Sequence, residues 1–297
     1  MISYERRPIS LTSDIDRTLL AGDWHPEDRP YADAALESLT QRIRTRKASN
    51  DLPPFYVGTS TGRTLLSHCE ELETKDNKAF CNFVTALDSK TGSVGAEIEY
   101  RRGDGGLFEP STEWPGELST WDRDRAYLAL HSKEQNGELL LQPPMAQSPY
   151  KLSFFVKIAL SRYGSYAKEI EDLLLKDGIA TTTIFSDERY LDILPRQSNG
   201  GPVDKGTAKQ HISKFFAERD SLAVEPIEVY AGDGWNDVGG LVYAIESGGI
   251  GIIPENAKES FKEEMRAKYP KTVLHIAHTA RFAAAIEECL DERHLLS

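Results

Sequence analysis

Short apolar runs that read as strands alternate with longer amphipathic stretches along most of this chain, the pattern of an α/β fold with a mostly parallel sheet. Ile9 to Ser13 is predicted as the first strand, and it leads into an acidic pair, Asp14 and Asp16. Ala32 to Arg46 is predicted as a helix because Ala35, Leu36, Leu39 and Ile43 recur at helical spacing, and Pro53-Pro54 bars any helical continuation. Phe55 to Gly58 is the next strand, followed by Thr59-Ser60-Thr61-Gly62-Arg63 and a helix over about Thr64 to Leu72. Near the other end, Ile227 to Ala231 and Gly249 to Ile253 read as strands, ending at Gly232-Asp233-Gly234-Trp235-Asn236-Asp237 and at Pro254-Glu255-Asn256-Ala257. Open α/β sheets bind ligands beyond the carboxyl ends of their strands, so these four polar clusters are expected to converge on one site.

The middle of the chain is patterned differently. Arg101 to Trp121 is dense in Gly, Pro, Ser and charge and is predicted as a linker or exposed loop. Beyond it, Tyr150 to Ile158 reads as a strand on the alternation of Leu152, Phe154 and Val156; a helix near Tyr166 to Lys176 and strands at Thr181 to Ser186 and Tyr190 to Leu194 come next. A second Gly/Pro/Ser-rich stretch, Pro195 to Pro202, marks the exit. A length of 297 residues suits a core that carries a smaller domain. The expected division is a core of residues 1–103 and 197–297 with an α/β module at 104–196 inserted into it.

Composition narrows the function classes. Hydrophobic residues at 39% and charged residues at 28% are those of a globular protein. Lys plus Arg number 35 against 47 Asp plus Glu, a formal net charge of -12. Such a field repels nucleic acid and anionic lipid, and no basic stripe with interleaved aromatics offsets it. A phosphorylated substrate would therefore need a local positive site, built from a metal ion and one or two placed basic side chains. Cys69, Cys81 and Cys289 are odd in number and lack a CxxC spacing, which fits reduced thiols. No stretch approaches the roughly 18 to 20 apolar residues of a membrane span, and Met1 to Ser13 lacks the apolar centre of a signal peptide. A cytoplasmic location is expected.

The acidic pair carries the chemistry. Adjacent carboxylates raise each other's pKa, so Asp14 and Asp16 at a strand end invite a cation or substrate. Taken alone they also fit an Asp-rich turn, a helix cap, or the DxD pair of nucleotide-sugar glycosyltransferases. The Gly232 to Asp237 turn resembles a dinucleotide fingerprint only superficially, because Asp237 stands at its third glycine position and would repel a pyrophosphate. Asp233 and Asp237 suit a hard cation such as magnesium, and with Asp14 they would make a three-carboxylate site. Thr59 to Arg63 offers hydroxyls and free amides to phosphoryl oxygens, or is simply a turn. Lys205, opening a predicted helix with Lys209 behind it, could set an ammonium against the acids, or face solvent. His275 and His278 are read as sharing a helical face and are given no metal role.

Taken in order, the DxDxT of Asp14, Asp16 and Thr18, the Thr61-Gly62-Arg63 turn, the Lys205-Gly206 helix start and the GDGxND of residues 232–237 closely resemble the haloacid dehalogenase superfamily of phosphotransferases. Any one element is weak; the joint match is specific. The insertion between the second and third motifs looks like that of members with a type IIB, or C2B, α/β cap on a Rossmann-like core. Within the superfamily the chain most resembles sucrose-phosphate phosphatases, over Ser13 to Asp23, Ser60 to Leu66, Gly92 to Ile98, Pro149 to Phe154, Ile184 to Asn199 and Gly251 to Ala257. Residues 24–50, 101–145 and the C-terminal tail match least. Bacterial relatives acting on kanosamine phosphate or mannosylfructose phosphate share many of these features.

The resemblance implies a Mg2+-dependent phosphatase acting through an aspartyl-phosphate. Asp14 would be the nucleophile and Asp16 the proton shuttle, with magnesium held by Asp14, the Asp16 main-chain carbonyl, and Asp233 or Asp237. Thr61 and Lys205 would bind phosphoryl oxygens, with Lys209 the lesser candidate. Thr18, Gly62, Arg63, Lys151, Asn236 and Asn256 are the expected substrate-binding positions, Thr18 and Asn236 more through orienting neighbours. Glu97 resembles an acid at the family's core-to-cap junction. Arg17 and Trp235 depart from the family pattern, standing where small or polar residues are common; Trp235 would narrow the entrance or offer a stacking surface. The implied substrate is sucrose 6-phosphate or a similar glycosyl-sugar phosphate. The alternatives are a monosaccharide or aminosugar phosphate, then a phosphomutase or a silent sugar-phosphate-binding protein. The only expected partner is that small molecule, on a monomer or weak homo-oligomer.

Overall fold

The computed structural model describes residues 7–21, 26–67, 77–101, 106–186 and 189–296. Along the chain the strands are β1 (Ile9–Ser13), β2 (Phe55–Ser60), β3 (Ser89–Gly92), β4 (Glu97–Arg101), β5 (Phe108–Pro110), β6 (Leu139–Leu141), β7 (Leu152–Val156), β8 (Thr181–Ser186), β9 (Tyr190–Pro195), β10 (Ile227–Ala231), β11 (Ile250–Ile253) and β12 (Leu274–Ile276). The principal helices are α1 (Arg29–Lys47), α2 (Lys78–Val84), α3 (Arg123–Gln135), α4 (Tyr163–Lys176), α5 (Lys205–Arg219), α6 (Val238–Glu246), α7 (Glu259–Lys268) and α8 (Ala283–Glu292). None is long and apolar enough to cross a membrane.

Eight strands form one sheet in the order β12-β11-β10-β1-β2-β3-β4-β5, parallel from β12 to β3 and antiparallel at β4 and β5. Every residue of β1, β2 and β10 is buried, as parallel strands covered on both faces must be. One face packs Leu36, Leu39 and Ile43 of α1 with Phe80 and Phe83 of α2 and Ile286 of α8. The opposite face takes Ala208, Ile212 and Phe216 of α5, with Leu241 of α6 and Phe261 of α7 in a neighbouring cluster. A second sheet, β6-β7-β9-β8, is covered by α3 and α4 through Leu130, Tyr166, Ile170 and Leu174.

Several expectations change. Residues 102–105 of the expected linker lie outside the described residues, and the stretch from 106 to Trp121 is not a free loop: β5 pairs with β4, setting Tyr100 opposite Glu109, and Trp114 is 2% exposed with its indole donating to the Gly95 carbonyl at 3.0 Å. The large sheet therefore runs past residue 103, and the crossing to the second sheet falls where Leu118 bridges Gln197 and the Ser119 amide donates to Arg196. A three-residue edge strand with polar neighbours leaves no alternation to read. Helix α3 has no counterpart among the elements read from the sequence, although Asp122 caps it, its carboxylate accepting from the Arg125 amide at 3.0 Å. The predicted helix after Arg63 is seen over Leu65–Ser67, and the rest of it, with Cys69, lies outside the described residues. His275 and His278 share no helix. His275 lies on β12, held by Glu288 of α8 at 3.0 Å, and His278 follows in a bend. Cys289 is a buried free thiol, and burial pushes its pKa up to about 12.

Candidate active site

Parallel pairing brings the carboxyl ends of β1, β2, β10 and β11 to one edge. The Asp14 amide continues the β1–β10 ladder by donating to Ala231 at 2.8 Å, which fixes Asp14 one step beyond the sheet. The chain then reverses: Arg17 takes a left-handed φ of 62°, and its amide donates to Leu20 at 2.7 Å. Asn256 braces this turn, its side-chain amide donating to the Arg17 carbonyl at 2.6 Å while its oxygen accepts from the Phe282 amide.

Lys205 occupies the centre. Its ammonium lies 2.6 Å from Asp14 and 2.7 Å from Asp237 and is fully buried. The start of α5 puts it there: Asp204 caps the helix, accepting from the Gly206 and Thr207 amides at 2.8 Å each, and the Asp204 amide donates in return to the Thr207 hydroxyl. Gly95 abuts that cap with φ of +106°, and a Cβ there would lie 2.2 Å from the Asp204 carbonyl oxygen. Gly95→Ala is therefore expected to cost at least about 2 kcal/mol, read from urea denaturation, because strain and displacement of the α5 start add.

Burial, the nearby Asp237, and more weakly Asp233 and Asp16 hold the Asp14 pKa well above the carboxylate range, with Lys205 pulling the other way. Burial opposes the charge on Lys205, but Asp14 and Asp237 overcome it and raise its pKa. One oxygen from each of Asp14, Asp233 and Asp237 lies within 4.8 Å of the others, in a buried, all-oxygen set. Two of these carboxylates, Asp14 and Asp237, share the buried Lys205 ammonium, and the Arg17 guanidinium lies 3.3 Å from the third, Asp233, at the margin. Such a set fits a hard divalent cation.

Above the acids a cavity of about 360 Å³ opens between the two sheets. Asp16 and Arg63 form its near wall in a two-pronged pair, Nε to Oδ2 and Nη2 to Oδ1 at 2.9 Å each. From the second sheet Lys151 reaches down, donating to the Gly62 carbonyl at 2.7 Å and lying 3.5 Å from Asp192. Lys151 is 3% exposed, so it is a bridge between the sheets and not a solvent-facing lysine.

Asp14, Asp16, Gly62, Arg63, Lys151, Asp233 and Asn236 thus converge on the cavity, with Lys205 and Asp237 directly beneath. Three expected positions stand elsewhere. Thr18 is fully buried under the Arg17 turn and Asn256 braces that turn, so neither side chain is a wall of the cavity. Thr61 is also buried, its hydroxyl accepting from the Arg63 amide at 3.1 Å. The Asp16 carboxylate faces Arg63 and is not in the three-acid cluster. Lys209 lies off the site, donating to the Ser10 carbonyl at 2.7 Å and paired with Glu228 at 2.8 Å. Glu97 accepts from the Ser93 hydroxyl near the Gly95 turn. The sequence reading missed Asp192, Gln142, Phe155 and Tyr190 in the cavity wall; an acid inside the apolar run of β9 was the available signal.

Residues 7–291 match the family model of sucrose-6F-phosphate phosphohydrolase. Sucrose-phosphatase 1 of Nicotiana tabacum is 28% identical over 206 residues, 68% of this chain and 44% of its own length. Probable sucrose-phosphatase 2 of Arabidopsis thaliana is 31% identical over 170 residues, 56% of this chain and 35% of its own. The chain thus spans less than half the length of these curated relatives. Among solved structures, the sucrose-phosphatase of Synechocystis sp., in complex with sucrose and phosphate, superposes with a TM-score of 0.68 at 25% identity, covering 97% of this chain and 98% of its own. A haloacid dehalogenase-like hydrolase protein of Bacillus subtilis shares the fold, with a TM-score of 0.54 at 15% identity, covering 98% of this chain and 96% of its own.

Proposed function

The chain belongs to the sucrose-6F-phosphate phosphohydrolase family, and from this premise we propose that it hydrolyses a glycosyl-sugar phosphate, sucrose 6-phosphate or a near relative, with magnesium as cofactor. The observation that carries the reading is the buried Asp14–Lys205–Asp237 cluster opening into a cavity walled by polar and aromatic side chains of both sheets. The large sheet with its helices is the catalytic core in this reading. The second sheet, roughly residues 120–196, is the cap that reads the sugar.

Asp14, Asp233 and Asp237 would hold magnesium, joined by the Asp16 main-chain carbonyl. When bound, the ion supplies positive charge against the phosphoryl oxygens, which otherwise repel a carboxylate nucleophile. Asp14 attacks phosphorus in line with the sugar oxygen; its oxygen–phosphorus bond forms as the phosphorus–sugar oxygen bond breaks. With one oxygen freed from Arg63 to carry a proton, Asp16 gives that proton to the departing sugar oxygen, then takes one from the water that cleaves the aspartyl-phosphate, releasing phosphate and restoring Asp14. Arg63 aims Asp16 through its two-pronged pair, and Lys205 neutralises charge behind the nucleophile. Thr61 supports the Arg63 turn that faces the substrate.

The role of Asp16 and the activity are tested together by phosphate release from sucrose 6-phosphate and from p-nitrophenyl phosphate, with magnesium and with EDTA. The native protein is expected to hydrolyse both, and EDTA to abolish both. Asp16→Asn should lower kcat/KM on the sugar phosphate by about 10³-fold, but far less on the nitrophenyl ester, whose leaving group departs without a proton, while kcat, which includes the shared hydrolysis of the aspartyl-phosphate, should fall on both. An equal loss of kcat/KM on the two esters would remove Asp16 as the acid toward the leaving group. No hydrolysis of any phosphorylated mono- or disaccharide by the native protein would remove the phosphatase reading.

A further inference from the structure

Trp235 stands in the cavity wall, 40% exposed. It opens the turn that ends in the buried Asp237, so its backbone is tied to the catalytic floor. Its ring is not loose: the fully buried Phe261 of α7 meets it edge to face, centroids 5.1 Å apart at 73°. That contact leaves Trp235 40% exposed. The strand β8 from the second sheet passes beside this turn. From the same sheet Phe155 and Tyr190, paired across β7 and β9 with centroids 5.6 Å apart, supply further aromatic surface to the cavity.

Asp16, Arg63, Lys151 and Asp192 gather at the Gly62 end, where a phosphate ester and the hydroxyls beside it would be read. The aromatic groups offer little hydrogen bonding but suit the C–H face of a pyranose or furanose ring. We infer that Trp235, together with Phe155 and Tyr190, forms a ring-stacking subsite for the sugar ring farther from the phosphate. Trp235 is then a specificity-determining residue that selects a two-ring substrate over a single sugar phosphate. This rests on the sugar-phosphate phosphatase reading.

The test compares Trp235→Ala and Trp235→Phe with the native protein on sucrose 6-phosphate and fructose 6-phosphate. Trp235→Ala should raise KM for the disaccharide phosphate about tenfold with little change in kcat, and alter kcat/KM for the monosaccharide phosphate less than about threefold. Trp235→Phe, which keeps a stacking face, should recover most of the loss. Equal losses on both substrates, or no loss on either, would overturn the subsite. Should the native protein hydrolyse neither these substrates nor any other phosphorylated mono- or disaccharide above its Asp14→Asn background, the phosphatase reading falls. Calorimetric binding of sucrose 6-phosphate then decides the subsite: affinity lost in Trp235→Ala and kept in Trp235→Phe sustains it, and equal affinity in all three proteins overturns it.

Discussion

Asp14→Asn is expected to cut phosphate release from a sugar phosphate by at least about 10⁴-fold while leaving the fold as stable as before, or more so. The loss follows from chemistry, since an amide oxygen cannot form the aspartyl-phosphate, and removal of a nucleophile costs this much or more in other covalent catalysts. The retained stability follows from electrostatics. Burial and the neighbouring Asp237 raise the Asp14 pKa in the folded protein well above that of an unfolded chain. A raised carboxylate pKa means that holding the group ionised opposes folding above the unfolded pKa, so at neutral pH its charge is a stability cost. Asparagine removes the charge and keeps an acceptor for the Lys205 ammonium, 2.6 Å away in the native protein. Steady-state phosphate assays and thermal melts in magnesium-free buffer check both halves. Residual turnover within tenfold of the native rate would exclude Asp14 as the nucleophile.

Lys205→Met is expected to damage both activity and stability. The ammonium is the sole partner at hydrogen-bond distance that is shared by Asp14 and Asp237 among the described residues, and all three side chains are buried. Truncating one member of a buried ionic group leaves the others uncompensated, which costs about 3–5 kcal/mol. For a chain of 297 residues that is a fall in melting temperature of roughly 5–8 °C. Loss of a preorganised positive charge beneath the phosphoryl group should lower kcat by a further 10²–10³-fold or so. Adding Asp237→Asn to Lys205→Met should return part of the stability, because one unpaired charge is gone, but none of the activity. A double variant no more stable than the single one would contradict the charge accounting.

Much of the candidate site was legible before folding was considered. The Asp14-x-Asp16 pair, the Thr61-Gly62-Arg63 turn and the Gly232 to Asp237 turn each come directly after an apolar run, and parallel strands deliver their ends to one edge. The strand at Ile227–Ala231 has the boundaries its pattern suggested. The edge of the large sheet was not legible, because β5 has three residues and Trp114 finds its burial in contacts with Gly95 and His211, distant in sequence.

The choice between Lys205 and Lys209 shows where sequence reading stops. The two are four residues apart on α5, nearly one helical turn, so periodicity puts them on the same face and cannot rank them. Their offset of about 6 Å along the axis decides: Lys205 meets Asp14 and Asp237 beyond the strand ends, whereas Lys209 meets Ser10 and Glu228 within the sheet. Glu228 partly offsets the burial that lowers the Lys209 pKa.

Residue type and local period were enough to establish the acidic chemistry, the order of the motifs and the parallel α/β core. Tertiary packing had to settle that Arg63 grips Asp16, that Lys151 spans from the second sheet to Gly62, and that Asp192 and Trp235 face one cavity. Those pairings join residues separated by tens to hundreds of positions. Their geometry is set by how the second sheet packs over the first, which no local pattern encodes.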